Sequence, residues 1–255
     1  MQKSDFKYNL PMYLLLAGLT FSSATGFAAE IDSDEEVNPD PYESVNRSIY
    51  KFNDTVDRNV LKPAAQAYRT VIPEPIRFVT GNFFSNLGEI PIIFNDILQL
   101  NGKRALLDTT RFLVNSTVGI FGIADVAGMI GIEKNNADFG QTLGKWGFNS
   151  GPYIVLPFFG PSSGRDAIGF VVDRQVDPVS NLDHIPTRNA TTLYRMVDTR
   201  SNLLDASKLL DEMALDPYLQ MREAYFQRRQ NSINKAKAQD VPLKSNTPES
   251  QPTAQ

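Results

Sequence analysis

A chain of 255 residues, 42% of them hydrophobic, buries a core of one or two domains, which excludes disorder throughout. Its formal net charge of -4 offers no general basic field to gather phosphates, so nucleic acid is excluded as the expected partner. The absence of cysteine removes disulfides, thiolate catalysis and cysteine-based zinc sites together.

At the N-terminus, Lys3 and Lys7 precede the apolar run MYLLLAGLTF, the small residues SSATGFAA and the acidic EIDSDEE. This is the order of an export signal cut near Ala28 or Ala29, and it places the working protein outside the cytoplasm. An uncut membrane anchor is the competing reading, but the apolar run is shorter than the ~20 residues that cross a bilayer. The chain then divides into a signal peptide over 1–28, a flexible acidic leader over 29–41, a helical domain over 42–229 and a polar tail over 230–255, expected to be disordered.

In YESVNRSIYKFNDTVDRNVLKP, Val45, Ile49, Phe52, Val56 and Val60 recur every three or four residues. That spacing predicts one apolar stripe on a helix, ended at Pro63. Ile76, Val79, Phe83 and Leu87 keep the same spacing, Pro91 starts a further helix in PIIFNDILQL, and a third pattern runs from Lys103 to Thr117. The apolar positions of these helices cover more than one narrow stripe, so they are buried on two sides, inside protein or between protein and lipid.

Val118 to Ile132, VGIFGIADVAGMIGI, sets four glycines around a single carboxylate, Asp125. Each glycine weakens a straight helix by ~1 kcal/mol, so a bent or hinged apolar hairpin is expected, either a tightly packed turn or a mobile lipid-facing element. Trp146, Tyr153, Phe158 and Phe159 follow; aromatics of this kind suit a membrane interface and equally a protein core. Helical spacing resumes from Arg165 through Val176, again over 189–214, and in DPYLQMREAYFQRRQ. With no repeat and no alternation of strands with helices, the fold class is mainly α, with one extended segment at Tyr153 to Phe159.

Gly160-Pro161-Ser162-Ser163-Gly164 is a literal G-x-S-x-G, which holds a nucleophile when it sits at the edge of a parallel sheet with an acid and a histidine downstream. No such sheet is readable here. The one histidine, His184, comes only 22 positions after Ser162 in a proline-flanked polar loop, so a turn and helix cap is the simpler role. One histidine and no cysteine leave no metal set, and the glycines lack the G-K-[ST] of a phosphate loop, so no metal and no cofactor are expected.

The blocks DPYESVNRSIYKFND, NFFSNLGEIPIIFNDILQ, RFLVNSTVGIFGIADVAGMIGI, DFGQTLGKWGFNSGPYIVLPFFGPSSGRD and DPYLQMREAYFQRR stand in order from about Asp40 to Arg229. Together they resemble the MlaA (VacJ) family of Gram-negative outer-membrane proteins. The resemblance implies a ring of amphipathic helices seated in the inner leaflet of the outer membrane, facing the periplasm, with a central amphipathic channel and a porin trimer beside it. It implies a protein that is not an enzyme: phospholipids that have strayed into the outer leaflet pass through the channel to a soluble periplasmic MlaC-like carrier, which maintains lipid asymmetry. It maps the channel hairpin onto Gly119, Phe121, Gly122, Ile123, Asp125, Gly128, Met129 and Gly131, with Lys51 and Phe52 supporting the gate from the first helix. Family members carry an acylated cysteine after Leu-Ala-Gly; here Leu16-Ala17-Gly18 is followed by Leu19, so no acyl anchor forms at that position and retention is expected to rest on the ring and a porin. Two other readings stay open: an exported lipid esterase using Ser162 and His184, and a structural porin-associated protein.

Overall fold

The structure, a computed structural model, describes residues 40–238 apart from Ala214. The expected signal peptide with Leu19, most of the leader and the end of the tail lie outside the described residues.

The first apolar stripe forms α1 (Glu43–Val56), but the helical path does not stop at Pro63. It continues through a π-helical turn, Asp57–Leu61, into α2 (Lys62–Val71). Proline lacks an N–H, and its ring would strike the carbonyl four residues back in a regular helix. The wide turn, in which the Lys62 N–H reaches back to Asp57 O, lets Pro63 enter the first turn of α2, where no N–H is needed. Arg200 grips Asp57 at 2.7 and 2.8 Å and so fixes this turn from outside.

Then come α3 (Glu74–Leu87), α4 (Glu89–Leu98), α5 (Gly102–Thr117), the short α6 (Val126–Met129) and α7 (Phe139–Lys145). The strands β1 (Tyr153–Leu156) and β2 (Gly160–Ser163) pair antiparallel, from Tyr153 opposite Ser163 to Leu156 opposite Gly160. The sequence reading placed one extended segment here and missed β2, because GPSS carries none of the β-branched or aromatic residues that mark a strand. The chain ends in α8 (Gly164–Val176), α9 (Ile185–Asn202), α10 (Leu204–Met213) and α11 (Pro217–Ala238).

The packing order closes on itself. α1 lies against β1, β2 against α8, α8 against α4, α4 against α3, α3 against α9, and α9 against α2, which continues from α1. That circuit is a ring of helices with one short hairpin as a segment; α5 and α7 pack on α4, and α11 on α7 and β2. At the crossing of α7 and α8 a Cβ on Gly169 would stand 2.4 Å from Gly140 N, so only glycine permits the approach. A compact aromatic core of Tyr153, Val155 and Tyr218, packed by Ile49, Tyr50 and Phe226, joins α1, β1 and α11.

Two expected boundaries move. Asp40, assigned to the leader, is buried, where it accepts from Asn46 at 2.8 Å and from the Tyr218 hydroxyl. The tail boundary at 230 falls inside α11, because Ile233 and Ala236, three apart in a lysine-rich stretch, turn one face inward and are buried.

Candidate functional site

Arg111 on α5 organises the interior between α4 and α5. Its Nε donates to Glu89 at 2.9 Å, its Nη2 to both oxygens of Asp125 at 2.8 Å, and its Nη1 to Ile132 O at 2.5 Å. Beside this group Asp96 and Asp108 are buried against each other; both oxygens of Asp108 and Oδ2 of Asp96 meet no donor, as two acceptors must unless they share a proton. Burial, and then Asp108, push the Asp96 carboxyl up to about 8. On the outside of the same helices stand Ile97, Leu106 and Leu113, and on the turn between them Leu100, 89% exposed. Polar groups inside and apolar groups outside invert the rule for a protein in water. Among the described residues 18 polar or charged side chains are buried against 12 apolar ones, so the inversion is not confined to one pair of helices.

The segment after α5 is built in two parts. Asp125 caps α6 by accepting from Gly128 N at 3.0 Å, takes Asn115 Nδ2 at 3.0 Å and Arg111 on its other face, while Asn115 Oδ1 accepts from Ala127 N at 2.9 Å. Burial alone would raise the Asp125 carboxyl, but donors from Arg111, Asn115 and Gly128 outweigh it and hold it below the usual carboxylate range. This base is tightly packed, and three of its glycines stand where another atom approaches the backbone closely. A Cβ on Gly119 would stand 2.3 Å from Ala124 O, on Gly122 2.4 Å from Asn86 Cβ and on Gly128 2.4 Å from Asp125 Oδ2; Gly131, at φ +86° in open space, supplies a turn. The hinge expectation is therefore corrected for the first three. The tip is the opposite: Ile120, Phe121, Ile123, Met129 and Ile130 are exposed, Phe121 to 75%, and Ile120 and Phe121 hold left-handed backbone at φ 52° and 57°. The packed turn and the exposed apolar element are both present, one at each end of the hairpin.

Of the first-helix pair, Lys51 is exposed and Phe52 stacks edge-on against Phe158 at 5.2 Å. Trp146 is half exposed, its indole N–H donating to Leu98 O at 3.2 Å, and Phe158 and Phe159 are exposed. Tyr153 is not an interface residue: it points from β1 into the aromatic core at 0% exposure, against Tyr218, Tyr225 and Phe226. Sequence reasoning missed Asn46 and Asn53, seven apart on α1 and so on one face. Asn46 gives Nδ2 to Tyr153 O and takes Val155 N, and Asn53 gives Nδ2 to Leu156 O and takes Phe158 N, so two side-chain amides continue the strand edge. Their spacing was the available signal.

Ser162 and His184 are not brought together. The Ser162 hydroxyl is buried and directed at Ser163 O, while Ser163 caps α8 through Asp166 N. His184 is exposed, its Nδ1 against Thr187 Oγ1 at 2.7 Å as the cap of α9. The G-x-S-x-G thus lies in β2 and a helix cap, and among the described residues no parallel sheet lies beneath it. Among the described residues no group of three or more metal-ligating side chains is gathered.

Two of the cavities among the described residues bear on this geometry. The larger, about 780 Å³, lies among α1, the β-hairpin, α8 and α11; Leu156, Phe159, Phe170 and Met221 form apolar wall, and Asp138, Asp166, Asp173 and Arg229 form a charged floor. Arg229 holds Asp138 at 2.6 and 2.9 Å and pairs with Asp166 at 2.5 Å. The smaller, about 560 Å³, lies between α3 and α9 and is lined by Phe83, Phe84, Tyr194 and, from the hairpin, Ile123.

A ring of helices with polar groups inside, apolar groups outside and amphipathic cavities defines a protein whose surroundings are partly lipid. Among the described residues no helix is long and apolar enough to cross a membrane. Residues 38–232 match the model of a family described as MlaA lipoprotein. The chain is 37% identical over 204 residues to the intermembrane phospholipid transport system lipoprotein MlaA of Shigella flexneri, covering 78% of this chain and 80% of that one. The protein so named from Haemophilus influenzae is 33% identical over 230 residues, covering 88% and 91%. A solved structure reported as the structural basis for maintenance of bacterial outer membrane lipid asymmetry superposes with a TM-score of 0.67 at 36% identity, over 76% of this chain and 99% of that one. The chain belongs to the MlaA family.

Proposed function

We propose that this protein maintains the lipid asymmetry of a Gram-negative outer membrane by withdrawing phospholipid from the outer leaflet, with no chemical change to the lipid. The observation that carries the reading is family membership over residues 38–232, on a ring built polar-in and apolar-out. The ring sits in the inner leaflet, facing the periplasm, beside a porin trimer, and delivers lipid to a soluble MlaC-like carrier. Its exposed apolar side chains replace lipid contacts, and the polar interior gives a head group partners that hydrocarbon cannot. Trp146, Phe158 and Phe159 mark the membrane boundary. The hairpin gates by its tip: Ile123 lines the smaller cavity and its carbonyl accepts from Asn82 at 3.0 Å, while the base stays pinned to Arg111. Phe52 supports the gate from the first helix through its stack on Phe158, with Lys51 exposed beside it.

Deletion is expected to raise outer-leaflet phospholipid, read by acylation of lipopolysaccharide, and wild type and a Ser162→Ala/His184→Ala double variant are expected to restore it equally. Restoration by wild type alone, with the variant present at normal level, would make Ser162 and His184 an active site. An Asn82→Cys/Ile123→Cys disulfide is expected to block restoration until reduced.

A further inference from the structure

The larger cavity has a feature that phospholipid handling in general does not require. Its floor charges are mutually satisfied: Asp138 and Asp166 are held by Arg229, Asp166 also by Arg165, and Asp173 by Asn95 at 2.7 Å and Phe139 N at 2.9 Å. Burial further pushes the Asp173 carboxyl up, toward its neutral form. One cation that lines this cavity, Arg228, and one that stands behind its wall, Arg174, form no ion pair with a carboxylate among the described residues. Arg228 lines it from α11 and is exposed, so it stands at the solvent edge. Arg174, also exposed, follows Asp173 on α8 and lays its guanidinium 5.9 Å from the Phe159 ring and 5.6 Å from the Phe170 ring, and both rings line the cavity. Aromatic stacking orients a guanidinium while leaving its N–H donors in the ring plane free for an anion. The result is an apolar wall of Leu156, Phe159, Phe170 and Met221 with Arg228 at its edge and Arg174 against two of its rings, neither in an ion pair. At about 780 Å³ the cavity falls within the ~300–1,000 Å³ of small-molecule sites, room for a head group and part of a chain but not for a pair of lipids.

We propose that Arg174 and Arg228 make this cavity selective for phospholipids with a net negative head group, whose acyl chain lies on the Phe159–Phe170 wall. Zwitterionic lipids present the same phosphate together with their own cation, which the two arginines repel. This rests on the phospholipid-handling reading above and adds to it the class of lipid preferred.

The test uses the full-length protein incubated with vesicles of equimolar phosphatidylglycerol and phosphatidylethanolamine, re-isolated, and its bound lipid counted by mass spectrometry. Wild type is expected to be enriched about fivefold in phosphatidylglycerol, the scale of one guanidinium at a lipid surface. Arg174→Gln/Arg228→Gln is expected to return the ratio to that of the vesicles, and Arg174→Lys/Arg228→Lys to retain most of the enrichment. Raising salt from ~0.05 to ~0.5 M should collapse the enrichment in wild type, a reading that needs no variant to fold. Inorganic phosphate at millimolar concentration is expected to leave the ratio unchanged. A wild-type ratio equal to the vesicles', enrichment that survives both glutamines, insensitivity to salt, or displacement by phosphate alone each overturns the selectivity. Absence of any bound lipid in wild type overturns the phospholipid-handling reading itself.

Discussion

The hairpin of β1 and β2 and the hairpin between α5 and α7 are both tight reversals near an apolar surface, yet they are held on opposite plans. Around β1 the aromatic rings of Tyr153 and Tyr218 go inside and amides from α1 close the strand edge. Around Asp125 the charges go inside and Phe121, Met129 and Ile130 stay out. A side chain is placed by what lies on the other side of it. Burying rings is favourable against water, while leaving Phe121 three-quarters exposed is stable only where the exposed side meets lipid or another protein.

Arg111→Ala should break that contrast most severely, because it leaves Asp125 without its counter-charge and buried Glu89 with only Lys134, at 3.8 Å. A loss of about 3–5 kcal/mol is expected, seen as failure to accumulate or a large fall in Tm. Asn46→Ala removes two strand-edge bonds and the Asp40 contact and should cost about 2–3 kcal/mol by denaturant unfolding, loosening β1 while leaving the Asp125 region intact. Gly122→Ala, with φ +85° and Asn86 in the way, should cost more than ~2 kcal/mol, while Gly131→Ala, at the same φ but in open space, should cost about 1 kcal/mol. Equal costs would mean that the base of the hairpin gives way.

Acid–base behaviour sharpens the same comparison by a smaller amount. Because the folded value for Asp96 is raised to about 8, the folded protein keeps a proton that the unfolded chain releases at ordinary carboxylate pH. The stability due to this group is full below ~pH 4, declines as pH rises to ~8 and is flat above. Asp96→Asn should therefore flatten the fall in Tm between ~pH 5.5 and ~pH 8. Asp125 runs the other way: its lowered value gives stability that is present at neutral pH and lost as pH falls below the usual carboxylate range.

Helix positions were legible because Val45, Ile49 and Phe52, or Ile76, Val79 and Phe83, repeat at the helical period whatever surrounds them. The same repeat does not say whether lipid or protein covers it, so the two-sided apolar helices stayed open between those readings. Pro63 misled because a π turn can absorb a proline, and nothing in DRNVLKP encodes that widening. The glycines at 119, 122 and 128 signalled an unusual backbone, but whether glycine bends a chain or lets another atom approach depends on residues such as Asn86, 36 positions away from Gly122. Arg111 and its two carboxylates were invisible to spacing, since their association exists only after α4, α5 and the hairpin come together.

The smallest change in stability carries the most direct test. The chain has no cysteine, so single cysteines at Phe121, Leu100 and Lys51 take a spin label without ambiguity. Each should shift stability by no more than ~0.5 kcal/mol, as exposed positions do. With the full-length protein in phospholipid membranes, relaxation by oxygen, which concentrates in hydrocarbon, is compared with relaxation by a water-soluble nickel chelate. The expected result is oxygen-dominated relaxation at Phe121 and Leu100 and nickel-dominated relaxation at Lys51. Nickel-dominated relaxation at Phe121 and Leu100 would place the outward apolar face in water and contradict a ring built for lipid.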